Sequence, residues 1–420
     1  MNVAMLQRVA QKVGMPFWIC DAAVLRRRIA NIRQLTCGTG LQARYAMKAL
    51  PATRILKEML ANGIWIDAVS GNEVLRARQA GFPGSSILYT SDVFRDGAIG
   101  TLLEHGVMPN LGSPGMLREL QAAGYAGPIS LRVNPGFGHG HVNACDTGGP
   151  SSKHGIWFSN VCDAATQARK LGMTVAMLHA HIGSGPEFPE FLDNMRRLAA
   201  LFAEFIPKFP GLNVISFGGG IPFNYRDTDD QASLEPLRAL LDESRANFCT
   251  VAGRDVRLEI EPGRYLVAPA VILVARVSDV KRTQTNEKGK GATFVMVDAG
   301  FTDLVRPALY GSFHRISVAG RDERDGTSDV VVAGPLCEPG DVFARDEEGL
   351  LMPRPLPLPR AGDLLLLHDA GAYGYAMSSN YNLLGRAPQL MLEEDGSVTM
   401  FSRRETADDL SRTETDEKIL

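Results

Sequence analysis

Cysteine is scarce and scattered: Cys20, Cys37, Cys145, Cys162, Cys249 and Cys337 are the six in 420 residues, with no C-x-x-C spacing. That distribution supplies neither a zinc-ligand pattern nor a disulfide framework, and a reducing cytoplasm fits it best. Long hydrophobic runs are absent too, so no bilayer-spanning segment is expected. The stretch Met1 to Gly14 mixes Gln, Arg and Lys with apolar residues. It lacks the apolar centre of a signal peptide and reads as a short amphipathic helix. There is no excess of one charge sign: the formal net charge is −3. Nothing electrostatic therefore calls for nucleic acid or an anionic membrane as partner. Low-complexity tracts and internal repeats are missing as well. What remains, 45% hydrophobic and 22% charged residues, is the profile of a globular protein. A chain this long exceeds one simple core and suggests two domains.

From about residue 28 to 265, short apolar runs alternate with helical patterns. Eight strands are predicted: Ala43–Lys48, Trp65–Ser70, Ser86–Ser91, Val107–Gly112, Ile129–Pro135, Val175–Gly183, Leu212–Gly219 and Arg257–Gly263. Most are separated by segments with apolar residues at i, i+3, i+4 spacing, such as Thr53–Asn62 and Phe191–Phe205. An open doubly wound sheet would alternate in the same way, but the count of eight favours a (β/α)8 barrel of the TIM type. After Arg264 the helical period fades. Tyr265–Val277, Ala292–Val297, Asp329–Ala333, Asp363–His368 and Ser397–Phe401 read as strands of a second, mostly β domain. The proline-rich Pro353–Pro359 cannot lie in a central strand.

Polar residues and glycines gather at the predicted C-terminal strand ends, which in a barrel converge on the rim where active sites lie. Lys48 sits there between Tyr45-Ala46-Met47 and Ala49-Leu50. A lone lysine is usually just solvated, but an apolar surround would lower its pKa and favour the neutral amine that attacks a carbonyl. Gly218-Gly219-Gly220 could be a mere turn. After strand 7 it lets backbone N–H groups approach a phosphate, and Arg264 could add a fixed charge. His179 and His181 share one side of a strand. An imidazole stacked on a planar ligand, with Ser184 donating to an anion, competes there with zinc ligation and with a structural histidine. No third ligand follows at convincing spacing, so no metal is expected. Glu259 and Glu261 also face one way, so one of them needs a cation: a protonated ring nitrogen, or an arginine such as Arg132.

Taken together, these motifs resemble the fold-type III pyridoxal-phosphate (PLP) enzymes and, within them, the diaminopimelate decarboxylase family. The resemblance runs nearly end to end. Its segments are Tyr45-Ala-Met-Lys48-Ala, Asp67-Ala-Val-Ser70-Gly-Asn-Glu73, Arg132-Val-Asn-Pro-Gly-Phe-Gly-His-Gly-His141, His179-Ala-His181-Ile-Gly-Ser184-Gly, Gly218-Gly219-Gly220 and Glu261-Pro262-Gly263-Arg264. In the second domain they are Asp298 to Tyr310, Gly-Pro-Leu-Cys337-Glu338-Pro-Gly-Asp341 and Asp369-Ala-Gly-Ala-Tyr373-Gly. Leu50-Pro51 and Thr302 depart from common family residues, at positions without a proposed catalytic group.

The resemblance implies pyridoxal 5'-phosphate held by Lys48 as its Schiff-base lysine, with His181 stacked on the ring and Glu261 on the pyridine nitrogen. Ser184, the three glycines and the turn Glu261-Pro262-Gly263-Arg264 would hold the phosphate. Arg264, Arg306, Tyr310, Glu338 and Tyr373 would contact substrate, Tyr373 also lying near the cofactor, and Cys337 would donate a proton. Cys337 and Glu338 would come from the partner of a homodimer with shared active sites. Residues 1–27 would pack with the β domain (266–420) beside a PLP-binding barrel (28–265). The implied reaction is decarboxylation of meso-2,6-diaminopimelate to L-lysine and CO2. Two readings stay open beside it: a decarboxylase of ornithine, arginine or lysine, and a non-catalytic homologue that only binds.

Overall fold

The structure is a computed structural model. It describes residues 2–417 except 39, 96, 139–146, 185–186, 227–232, 288, 323, 325 and 347–348, so His141 and Cys145 lie outside the described residues. The chain forms two compact units. One is Arg26–Asn224 with Asp229–Leu266; the other is Met1–Leu25, Tyr225–Thr228 and Val267–Leu420. Among the described residues no helix is long and apolar enough to cross a membrane.

After β1 (Phe17–Asp21) come β2 (Leu41–Ala46), β3 (Trp65–Ala68), β4 (Ile87–Ser91), β5 (Met108–Leu111), β6 (Pro128–Asn134), the short β7 (Ile156–Trp157), β8 (Thr174–His179), β9 (Val214–Ser216) and β10 (Arg257–Ile260). Their order is β5-β4-β3-β2-β10-β9-β8-β6, and the β5–β6 pairing closes the ring into the expected eight-stranded parallel barrel, with β7 added beside β6. Helices such as Thr53–Ala61, Gly71–Gln79, Val161–Lys170, Phe188–Phe205 and Glu235–Ala252 follow the strands. Their apolar stripes are buried, for instance Ile55, Leu56 and Met59 in the first.

The strands stop earlier than the apolar runs do. β2 ends at Ala46, and Lys48 stands on a 3-10 turn, Met47–Ala49. β8, β9 and β10 likewise end before His181, the glycines and Glu261. The backbone there leaves the ladder, with Gly218 at φ 63° and Gly220 at φ 105°, a region favoured by glycine. Irregular hydrogen bonds still tie these segments together: Glu261 N–H to the Gly218 carbonyl (2.7 Å) and Ala46 N–H to the Pro262 carbonyl (3.2 Å).

The second unit holds β11 (Val271–Arg282), β12 (Thr293–Val297), β13 (Ile316–Val318), β14 (Ser328–Ala333), β15 (Arg354–Leu356), β16 (Leu364–Leu367), β17 (Gln389–Leu392) and β18 (Val398–Ser402). It is the mostly β architecture that the sequence predicts. β1 lies inside its sheet, antiparallel to β11 (Phe17↔Val274) and parallel to β17 (Trp18↔Gln389). Leu6, Val9 and Ala10 of the helix Val3–Val13 pack on Phe17, Ile19, Val274, Leu364, Leu366 and Leu390. Pro355 is placed where a missing N–H can be tolerated, on β15 at the end of the sheet.

The second carboxylate of the Glu259/Glu261 pair finds its cation low in the barrel. Arg44 Nε and Nη2 donate to Glu259 at 2.6 and 3.2 Å, and Arg257 Nε donates at 2.8 Å. Arg44 is 2% and Glu259 0% exposed, whereas Arg257 is 37% exposed. Removing one partner of a buried pair strands the other charge away from water. Arg44→Leu should therefore lower stability in urea unfolding by about 3–5 kcal/mol, and Arg257→Leu by about 1 kcal/mol or less.

Candidate active site

Lys48 was expected in an apolar surround. Its chain neighbours Met47, Ala49 and Leu50 are buried, but Lys48 itself is exposed. Its charge reaches Asp67, Glu73 and His181. The difference has a geometric cause: the 3-10 turn rotates Lys48 off the ladder while the residues on either side pack inward.

Glu261 is the best-held group of the barrel mouth, only 5% exposed. His179 Nε2 lies 2.9 Å from its Oε2, and Ser216 Oγ donates to Oε1 at 3.0 Å. Burial opposes its charge, but His179, the Ser216 hydroxyl and Arg44 outweigh burial and hold the carboxyl below its ordinary range. Its hydrogen bonds thus go to His179 and Ser216 and not to Arg132, the arginine considered as its partner. The ion-pair alternative applies to Glu259 instead. Ser216 also accepts from Gly218 N–H at 3.1 Å, so one hydroxyl links the carboxylate to the glycine loop.

His181 is half-buried, and its Nδ1 is buried without a hydrogen-bond partner. Burial and the nearby charge of Lys48, with Arg132 and His179 behind it, push its pKa well down, so the ring is neutral. A neutral ring is suited to lying against an aromatic face. Its backbone carbonyl accepts from Thr147 Oγ1 at 2.8 Å, which fixes the loop after β8. Ser184 is half-buried on that same loop.

The glycines are required by space as much as by φ. A Cβ on Gly218 would strike the Ala180 carbonyl, on Gly219 the Glu261 carbonyl, and on Gly220 the Gly183 carbonyl. A Cβ on Gly263 would meet Ala46 less tightly, at 3.1 Å from its Cβ. Three loops therefore meet backbone to backbone. Pro262 joins them to β2, and Arg264 opens the short helix Arg264–Val267. The resemblance assigns a phosphate to this concavity, and a cradle of closely approached backbone fits one. An ionised Glu261 fits a protonated pyridine nitrogen equally well. Among the described residues no three His, Cys, Asp or Glu side chains gather as a metal site.

Sequence reasoning singled out no role for two further groups. Asp67, 4% exposed on β3, faces the same mouth. Asp92 accepts from His154 Nδ1 at 2.6 Å and from Gly155 N–H at 3.0 Å, fastening that loop to the end of β4. Asp92 has its own available signal, an acidic residue directly after a barrel strand.

In the β unit, Arg306 is 3% exposed. It donates to Ser312 Oγ at 3.1 Å, and its guanidinium lies 5.8 Å from the Tyr310 ring and 5.7 Å from the Tyr373 ring. Three of the expected substrate residues thus form one cluster within that unit. Tyr373 and Asp369 adopt φ of 60° and 55°, a strained backbone for non-glycine residues of the kind that recurs at functional sites. Cys337 and Glu338 are both exposed, on a loop clamped by Asp341, which accepts from Phe301 and Leu336 N–H at 2.7 and 2.8 Å.

The cradle makes a prediction. Gly220→Ala should weaken PLP binding about tenfold or more in a fluorescence titration, because the loop must move away from Gly183. Gly100→Ala, in the helix Ala98–His105 with open space at its Cβ, should leave binding unchanged and add about 0.5–1 kcal/mol of stability.

Comparison with known proteins agrees with this geometry. Residues 22–268 match the family described as "Pyridoxal-dependent decarboxylase, pyridoxal binding domain". Diaminopimelate decarboxylase of Escherichia coli K12 is 38% identical over 413 residues, 96% of this chain and 95% of the relative. That of Streptomyces coelicolor is 38% identical over 406 residues, 95% and 89% of the two chains. A crystal structure of diaminopimelate decarboxylase superposes with a TM-score of 0.88 at 37% identity, covering 97% of this chain and 95% of that one. The Helicobacter pylori enzyme complexed with L-lysine gives 0.82 at 26% identity, covering 97% and 98%. With that extent of identity over a barrel that carries the lysine, the glycine cradle and the held carboxylate, the chain belongs to the diaminopimelate decarboxylase family of pyridoxal-dependent decarboxylases.

Proposed function

We propose that the protein decarboxylates meso-2,6-diaminopimelate to L-lysine and CO2 with pyridoxal 5'-phosphate as cofactor. The observation that carries this reading is the convergence of Lys48, an ionised Glu261 and a backbone cradle at the mouth of one barrel. When bound, the cofactor supplies an aldehyde for an amine and an electron sink for the pair left by the departing carboxylate.

The chain's own residues set the conditions for that chemistry. Glu261, kept charged by His179 and Ser216, would hold the pyridine nitrogen in its protonated form. The neutral ring of His181 would lie against the cofactor ring. Ser184, Gly218, Gly219, Gly220 and the turn Glu261-Pro262-Gly263-Arg264 would hold the phosphate. Lys48 carries the amine that the substrate replaces.

Substrate recognition is assigned to Arg264, Arg306, Tyr310, Glu338 and Tyr373. A substrate with an amine and a carboxylate at its far end needs both charge signs, and this set has both. Cys337 would hold on its Sγ the proton that replaces CO2. In a single chain Cys337 and Glu338 are exposed, which suits groups that complete a site only in an assembly. The reading therefore includes a homodimer with shared active sites, working in the cytoplasm. Residues 1–27 and 266–420 act as its substrate-side domain, and residues 28–265 as its cofactor domain.

Purified protein supplied with PLP and meso-diaminopimelate should release CO2 and form lysine, with ornithine and arginine turned over far more slowly. Preference for ornithine or arginine would overturn the substrate assignment. Borohydride treatment of the loaded protein should leave a phosphopyridoxyl group on Lys48 by peptide mass spectrometry; a label elsewhere would overturn the lysine assignment. Cys337→Ala should lose about 10²–10⁴-fold in kcat while PLP binding is retained, the range for removal of a proton-transfer group.

A further inference from the structure

Arg132 stands at the barrel mouth with no task in the reaction above. β6 and β8 run parallel with Arg132 opposite His179. Residues paired directly across neighbouring strands project to the same face, and His179 points inward to Glu261, 2.9 Å away. Ser130 confirms that direction. It lies two residues before Arg132, on the same face of β6. Its Oγ donates to Asn110 Oδ1 on β5 at 2.8 Å, and both side chains are 0% exposed. Arg132 is therefore an inward-facing side chain near the C-terminal end of its strand, only 7% exposed. Among the described residues it has no hydrogen bond and no ion pair.

A guanidinium keeps its proton even here. Burial pulls its pKa down, and the charges of Asp92, Glu261 and Asp67 hold it up. Two of those carboxylates are already engaged. Glu261 is bonded to His179 and Ser216, and Asp92 to His154 and the Gly155 N–H. A buried cation with its donors unused is costly, and a fork of donors facing a cleft suits an anionic oxygen.

PLP offers one. It has four polar points: the ring nitrogen, the aldehyde, the phosphate arm and the ring hydroxyl. Glu261, Lys48 and the glycine cradle are assigned to the first three. On the ring, the phosphate arm and the hydroxyl flank the aldehyde on opposite edges. A phosphate at the loop after β9 and the turn after β10 therefore sends the hydroxyl to the edge facing away from them. The strand order leads from β10 and β9 past β8 to β6, where Arg132 stands. Asp67 on β3 and Asp92 after β4 are carboxyls, which repel an anionic oxygen; Arg132 attracts it. We propose that Arg132 is a cofactor-binding residue whose guanidinium donates to the ring hydroxyl oxygen of bound PLP and holds that oxygen as an anion. Arg132 takes this role only if the mouth holds PLP on Lys48, the reading given above. The role explains why Glu261 is bonded to His179 and Ser216 while a buried arginine opposite His179 is kept out of an ion pair.

The test uses the full-length apoprotein and two ligands that form no bond to Lys48, pyridoxine 5'-phosphate and its 3-deoxy counterpart. Their Kd values are measured by isothermal titration calorimetry. Wild type should bind the hydroxylated ligand about tenfold or more tighter, as expected for a hydrogen bond between charged groups. In Arg132→Met the two ligands should bind within about twofold of each other, the margin for groups that do not interact. A merely structural arginine would instead weaken both ligands alike and leave their ratio unchanged. Should Arg132→Met fail to fold, Arg132→Gln, of similar shape and without the charge, should shrink the wild-type preference in the same direction. Equal affinities in wild type, or an undiminished preference in the variants, would overturn the proposal while leaving Lys48 as the cofactor lysine. Failure of both ligands to bind wild type, with no PLP trapped on Lys48 by borohydride, would remove the reading beneath it.

Discussion

The mouth of the barrel depends on one buried negative charge. Glu261 is held ionised where burial alone would neutralise it, and in the proposed reading that anion would keep a pyridine nitrogen protonated as an electron sink. The barrel achieves this with hydrogen bonds that arrive from neighbouring strands. His179 ends β8 and Ser216 ends β9, and both reach the carboxylate just past β10. Those strands are adjacent in the ring, so the geometry of closure itself delivers the partners. The same Ser216 hydroxyl accepts from Gly218, so the charge and the anion cradle are set by one local structure.

That economy explains the absence of side chains at the glycine triplet. Each glycine abuts a carbonyl from another loop, and each such contact brings a strand end closer to the site than a Cβ would permit. Close approach leaves the cradle to backbone groups, which keep their orientation without losing rotamer entropy. Two carboxylates two residues apart meet opposite solutions. Glu259 is matched by arginines and stays structural, and Glu261 is matched by weaker donors and stays available.

Much of this was legible beforehand, for identifiable reasons. Parallel strands buried on both faces read as continuous apolar runs, so all eight barrel strands were visible, and polar residues at their ends marked the rim. Strand ends were less legible. The apolar run through Met47 and Ala49 looks like strand, yet the backbone has already turned, which leaves Lys48 exposed instead of wrapped in apolar groups. Which carboxylate would meet an arginine also could not be read from spacing, because Arg44 lies 215 positions away from Glu259. β17, four residues of mixed character, lacks any local signal and gains its identity from pairing with β1 and β18.

The distribution of exposure across the proposed machinery carries a further consequence. Glu261 and His179 are buried and mutually bonded, so their state is settled within the barrel. Arg306 is likewise buried within its own unit. Cys337 and Glu338, by contrast, stand in solvent, where a thiol is exposed to oxidants and a carboxylate interacts with ligands through a high dielectric. A proton donor and a charge-reading residue both gain strength when water is excluded. The homodimer proposed above would cover those two groups on their exposed, Asp341-clamped loop. On the proposed reading, the groups that would prepare the cofactor are built in by the fold, and Cys337 and Glu338 would be completed by assembly.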